Sequence, residues 1–150
     1  MGMFYVMYLG NECEFNTLKQ KVVEITPSIR SKIDEGEKFN VNCDYFSLSI
    51  KEGGTPVKFK SEDYNDKFNF QFWFDVHYTT PNWAIELMKF VGIILENFDG
   101  SCVLESNGDT PIVMRKDGLI TVDDKKLKGT QKFPFDALGL EYQEGDLIQV

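Results

Sequence analysis

Reactive groups are scarce in this chain. It has one histidine, His77, and three cysteines, Cys13, Cys43 and Cys102, set far apart. A lone histidine excludes any two-histidine metal site, and no Cys-x-x-Cys or Cys/His cluster offers zinc its four ligands. A Cys–His pair is available in composition for nucleophilic attack. Cys43 and Cys102, however, lie in apolar, strand-like runs, where a thiol is ordinarily inert packing. The run Glu62-Asp63-Tyr64-Asn65-Asp66 has the carboxylate density of a calcium loop. An EF-hand loop starting at Asp63 would need glycine at its sixth position and glutamate at its twelfth. Phenylalanine stands at both, Phe68 and Phe74. Paired carboxylates for acid–base work need environments that push their pKa values apart, and Asp75, Asp99 and Asp109 fall at an outward strand position and two turns. Gly-x-Ser-x-Gly, His-Glu-x-x-His, phosphate-loop and dinucleotide-binding glycine patterns do not occur. The expectation is a chain that is not an enzyme and takes no cofactor or metal.

One cluster suits recognition instead. Between Lys67 and Tyr78, Phe68, Phe70, Phe72, Phe74 and Val76 alternate with Asn69, Gln71, Trp73, Asp75 and His77. A strand has a side-chain period of two, so the first set faces a core and the second faces water. Trp73 then stands on the wet face among Gln71, Asp75 and His77, where a large aromatic surface is normally covered by something. Either the C-terminal tail or a loop lies over it, or it anchors a protein partner, as tryptophan does at interface hot spots. Glu62, Asp63 and Asp66 immediately precede this strand and would offer carboxylates to a basic partner, or simply form a solvated turn.

Other elements must position that strand. Met3–Leu9 is aromatic and β-favouring and ends at Gly10, a strand. Thr17-x-x-Gln20 has the form of a capping box opening a helix with Leu18, Val22 and Ile25 on one stripe, and Pro27 lies near its end. Residues 30–40 are polar and carry no clear period. Val41–Ile50 reads as one strand, Gly53-Gly54 and Pro56 turn the chain, and Val57–Lys60 reads as a short strand before an acidic loop, Ser61–Asp66. Thr80 and Pro81 predict the start of a second helix. Ala84, Leu87, Met88, Val91, Ile94, Leu95 and Phe98 form its apolar stripe, and it stops near Asp99-Gly100. Three strands follow, Ser101–Ser106, Thr110–Lys116 and Leu119–Asp123, joined by the hairpin signals Asn107-Gly108 and Asp117-Gly118. The tail holds one helical turn around Phe135–Leu140 and a last short strand. The expected architecture is α+β: a mostly antiparallel sheet of about six strands with two helices on one face, in a single domain over 1–150.

With 150 residues, 42 % hydrophobic and 13 of them Phe, the chain can bury a core without staples. Its net charge of −8 argues against nucleic acid as partner, because phosphate neutralisation needs clustered Lys and Arg. The charge is uneven: residues 115–132 carry +3 (Arg115, Lys116, Lys125, Lys126, Lys128 and Lys132 against three acids), while 133–150 carry −4. That basic island reads as a solvated hairpin. The N-terminus lacks the basic region of a secretion signal, Val6 occupies the position where myristoylation wants Ser or Thr, and Trp83–Leu95 is too short and too charged to span a bilayer. No membrane is expected, and the compartment is most simply the cytoplasm.

The stretch Asn97–Asp124 carries Gly100, Leu104, Asn107-Gly108, Val113, Arg115 (or Lys116), Gly118, Leu119 and Val122 in the order of a β-meander. In this, and in its order of elements, the chain resembles small bacterial immunity proteins of contact-dependent and polymorphic toxin systems, the swarming-inhibition type. The close match covers about a fifth of the chain, and no motif residue of that family is catalytic. The resemblance implies a protein that binds a cognate toxin, such as a basic nuclease domain, and neutralises it by occlusion. Two other classes compete: a small-molecule-binding or enzymatic domain with a pocket between sheet and helices, and a homo-oligomeric accessory protein.

Overall fold

The structure, a computed structural model, describes residues 3–127 and 132–147. Nine strands form one sheet in the order β2-β3-β4-β5-β1-β6-β7-β8-β9. They are β1 (Met3–Leu9), β2 (Ile29–Glu35), β3 (Lys38–Cys43), β4 (Phe46–Glu52), β5 (Phe70–Val76), β6 (Cys102–Ser106), β7 (Thr110–Lys116), β8 (Leu119–Val122) and β9 (Gln143–Glu144). All neighbours are antiparallel except β8 and β9. Three α-helices, α1 (Phe15–Ile25), α2 (Thr55–Asp63) and α3 (Trp83–Asn97), and one 3-10 turn (Phe135–Leu138) complete the described chain. The α+β class stands; nine strands replace the expected six and three helices the expected two.

The Phe-rich alternation sets the main core. Phe70, Phe72 and Phe74 of β5 turn to one face with Tyr5, Met7 and Leu9 of β1, and α1, α3 and the 3-10 turn close over them. Phe74 meets Phe46 and Phe90 edge-on at 5.3 and 5.5 Å, a preferred geometry of ring quadrupoles. Gly92 lets α3 approach the 3-10 turn, since a Cβ there would lie 2.0 Å from the Leu138 carbonyl oxygen. The helices are not confined to this face. Val6, Tyr8 and Val103 point the other way and form a second cluster with Val57 of α2, Tyr64 and Phe68. Phe68, expected in phase with the other Phe residues, precedes β5 and belongs to this opposite cluster.

Other local expectations shift for identifiable reasons. Thr17 does not cap α1: the helix starts earlier, at Phe15, after Asn11 folds back to accept the Cys13 N–H at 2.8 Å. Thr80 does not cap α3, because Asn82 takes a left-handed conformation (φ 67°) and the helix starts only at Trp83. The expected single strand Val41–Ile50 is two strands split at Asp44-Tyr45, where His77 grips both backbone carbonyls. Val57–Lys60 is helix, not strand, with Pro56 in the first turn of α2, and the helix takes in Glu62 and Asp63 from the expected loop. The polar 30–40 region is the β2–β3 hairpin. The three-strand meander lies as read, with positive φ at Asn107, Gly108, Asp117 and Gly118 as type I′ turns require.

Arg115 explains how α3 ends. Its guanidinium is buried and donates to the carbonyls of Gly100 (2.7 Å), Leu95 and Phe98. A helix leaves its last carbonyls without intrahelical partners and with partial negative charge. One planar cation from β7 satisfies two of the carbonyls there and the loop beyond.

Candidate protein-interaction face

The second face of the sheet divides in two. Over β1 and β6 it is roofed by α2, held by Lys60, whose ammonium donates to buried Glu105 at 3.0 Å and to the Gly108 carbonyl at 3.3 Å. Tyr64 also donates to Glu105. Over β3, β4 and β5 beyond Gln71 the same face carries polar side chains in a ladder. Ser47 donates to Asn42 at 2.7 Å and Ser49 to Asn40 at 3.1 Å, each across the β3–β4 pair.

Trp73 stands in this open part. It keeps 37 % of its surface exposed and stacks on Phe4 of β1, ring centroids 4.6 Å apart and planes within 3°. Its indole N–H donates to Asp75 at 3.2 Å, which aims an exposed carboxylate beside the ring. Covering by the C-terminal tail does not occur within the described residues: β9 pairs with β8, on the far side of β1 from β5. The partial cover is Phe4, which alternation from Val6 and Tyr8 places on this face.

The remaining candidates disperse. Gln71 is buried, its amide donating to the Tyr8 hydroxyl at 3.1 Å, and so is corrected from a surface residue to part of the α2-side packing. His77 is half-buried, with Nδ1 donating to the Asp44 carbonyl at 3.1 Å and Nε2 3.3 Å from Ser47 Oγ. It anchors a turn as well as edging the face. Glu62 is exposed and Asp63 half-buried in the last turn of α2, which roofs the other half of this face, and Asp66 accepts the Lys67 N–H at 2.9 Å. Tyr8, Lys60 and Glu105, which fix the border between roofed and open halves, were not singled out in the sequence. Alternation along β1 and β6 places Tyr8 and Glu105 on this face, and nothing local marks their partner Lys60.

Nucleophilic chemistry finds no support in the thiols. Burial pushes Cys13 and Cys43 above the usual thiol range and Cys102 to about 12, against the opposing charge of Arg115. Among the described residues no three His, Cys, Asp or Glu side chains converge on a metal-sized site, and no helix is long and apolar enough to cross a membrane. The basic island is largely spoken for: Arg115 is buried, Lys125 pairs with Asp146 at 2.7 Å, Lys126 donates to the Leu147 carbonyl and Lys132 pairs with Glu144. Lys128 lies outside the described residues.

A cleft of about 590 Å³ opens on the opposite, helix-bearing side, between the start of α1, the β2–β3 turn and Gly53-Gly54. Lys19 lines it, buried under the rings of Phe15 and Phe39 and bound to Asp34 at 2.9 Å and the Gly36 carbonyl at 2.7 Å. The sequence matches no protein-family model, and neither a curated protein nor a solved structure shows detectable similarity to it.

Proposed function

We propose that this chain is a non-catalytic, cytoplasmic protein-binding domain, most specifically an immunity protein that neutralises a cognate bacterial toxin by occluding it. The observation that carries the reading is the Trp73–Phe4 stack on an unroofed sheet face, with Asp75 beside it. A rigid aromatic pair with a neighbouring carboxylate is the composition of an interface anchor, and it would favour a partner presenting a basic, partly apolar surface. The net charge of −8 would speed encounter with such a partner. The meander's resemblance to immunity proteins supports the choice of toxin as partner, while its Arg115 serves the fold rather than the interface. Gln71 drops out of the binding set, and Glu62, Asp63 and Asp66 act only as a flanking acidic rim.

The test is a growth-rescue assay. The reading frame adjacent to this one in its source genome is expressed under an inducible promoter, with and without this chain. Toxicity relieved by wild type and not by a folded Trp73→Ala variant is expected. Toxicity that the wild-type chain fails to relieve, or a neighbour that is harmless, would remove the immunity reading.

A second reading, small-molecule binding, draws on the Lys19 cleft. Its mark would be a ligand that co-purifies with the wild type and is lost on Lys19→Met.

A further inference from the structure

Among the described residues strand β2 is the long outer edge of the sheet, with no strand beyond it, and all seven of its residues are exposed. An edge strand offers a row of backbone N–H and C=O groups to any other strand, and natural edges are usually blunted against this. Here the pairing irregularity is confined to one end, between Ile29 and Ser31, and the remaining guard is the charge pattern of Arg30, Lys32, Asp34 and Glu35, which bars a second strand only where like charges meet. From Ser31 to Glu35 the strand pairs regularly, and Ile33 keeps 40 % of its surface in water on the same face as Asn40, a polar neighbour that gives it no apolar cover.

We propose that this edge is a homodimer interface, with β2 of one copy pairing antiparallel to β2 of a second in one register, Ile33 opposite Ile33 and Lys32 opposite Asp34. The charges single the register out. If two copies extend one continuous sheet about a two-fold axis perpendicular to it, opposed residues must lie on the same face, so their numbers differ by an even amount. Centring the pair on Arg30, Lys32, Asp34 or Glu35 sets each against itself, and centring on Ser31 sets Arg30 against Lys32. Like charges directly opposite are destabilising. Of the centres from Arg30 to Glu35 only Ile33 avoids this, and it sets Lys32 against Asp34 twice and closes the two exposed isoleucines on each other; centring on Ile29 would leave the regularly paired stretch Ser31–Glu35 with no strand opposite it. Asp34 is suited to the role. Its Oδ1 holds Lys19 at 2.9 Å and its side chain is 42 % exposed, so Oδ2 can take the second copy's Lys32.

The proposal is tested by sedimentation of the purified full chain over a concentration series. The mass should rise from 17.3 kDa toward twice that value as concentration increases. Lys32→Asp and Asp34→Lys should each be monomeric, because each sets like charges opposite in the homodimer. Mixed together they should form a heterodimer, since both 32–34 pairs then carry opposite charges. Ile33→Asp should also be monomeric, and it leaves the Lys19–Asp34 contact intact, so it reads the interface even where Asp34→Lys disturbs the fold. A wild type that sediments at 17.3 kDa throughout, or a dimer that survives both Lys32→Asp and Ile33→Asp, overturns the proposal.

Discussion

Replacing Arg115 with methionine tests how the end of α3 is held. The guanidinium is almost wholly buried and serves three carbonyls, those of Leu95, Phe98 and Gly100. Methionine keeps much of the stem's packing and removes all of these donors. Gly100 is exposed and its carbonyl regains water, so its loss costs little. Leu95 and Phe98 are buried, and a buried acceptor left unsatisfied costs about 1–3 kcal/mol. Removing a cation from a partly buried helix C-terminus costs up to about 2 kcal/mol more. With two such acceptors the loss should be about 2–8 kcal/mol in all, a large share of the ~5–15 kcal/mol that holds a typical domain. Urea denaturation followed by far-UV circular dichroism measures it, as a lower midpoint with an unchanged slope. Arg115→Lys, a point charge without the planar fork, should recover only part of the loss. If Arg115→Met unfolds within about 1 kcal/mol of wild type, the carbonyls find other partners and the capping role assigned to Arg115 is wrong.

The two faces of β5 should respond differently: Phe72→Ala, fully buried, should cost about 3–5 kcal/mol in the same assay. Trp73→Ala should cost only about 1–2 kcal/mol, mostly its stack on Phe4; equal losses would mean Trp73 is core. Stability should fall as pH rises. Burial holds the Cys102 thiol to about 12 against 9.0 when unfolded, and Tyr5 to about 12 against 10.0, with a bond to Ser106 opposing. The folded chain therefore keeps protons that the unfolded chain has released, and the stabilisation present below pH 9 is lost between the two pKa values. A melting temperature that does not decline on alkaline titration refutes this. With a thiol-reactive dye at neutral pH, the half-exposed Cys13 should react first, and Cys43 and Cys102 only on unfolding; three equally fast thiols would contradict their burial.

Much of the fold was legible because some signals are local. A type I′ turn needs two residues that tolerate positive φ, so Asn107-Gly108 and Asp117-Gly118 fix the meander almost to the residue. The alternation of Phe70, Phe72 and Phe74 fixes the buried face of β5, because a one-residue slip would expose every one of them. Trp73 and Asp75 follow on the opposite face for the same reason. What failed were segments whose conformation is imposed from a distance. Helix α2 has one buried residue, Val57, and no strong amphipathic stripe. It is secured by Lys60 reaching Glu105, 45 positions away, which no local period reveals. The Asp44-Tyr45 turn carries no glycine or proline, and His77, just past the end of β5, closes it.

The candidate site shows the same division. Sequence alone determined that a tryptophan and a carboxylate share a strand face, since adjacent side chains on a strand must alternate. Whether that face is wet was decided by tertiary structure. Helix α2 covers β1 and β6, burying Gln71 on Tyr8, and stops short of Trp73, which leans instead on Phe4 of the neighbouring strand. Side-chain direction is a property of the local backbone; exposure depends on which distant segment packs above, and that follows from contacts between residues far apart in the chain.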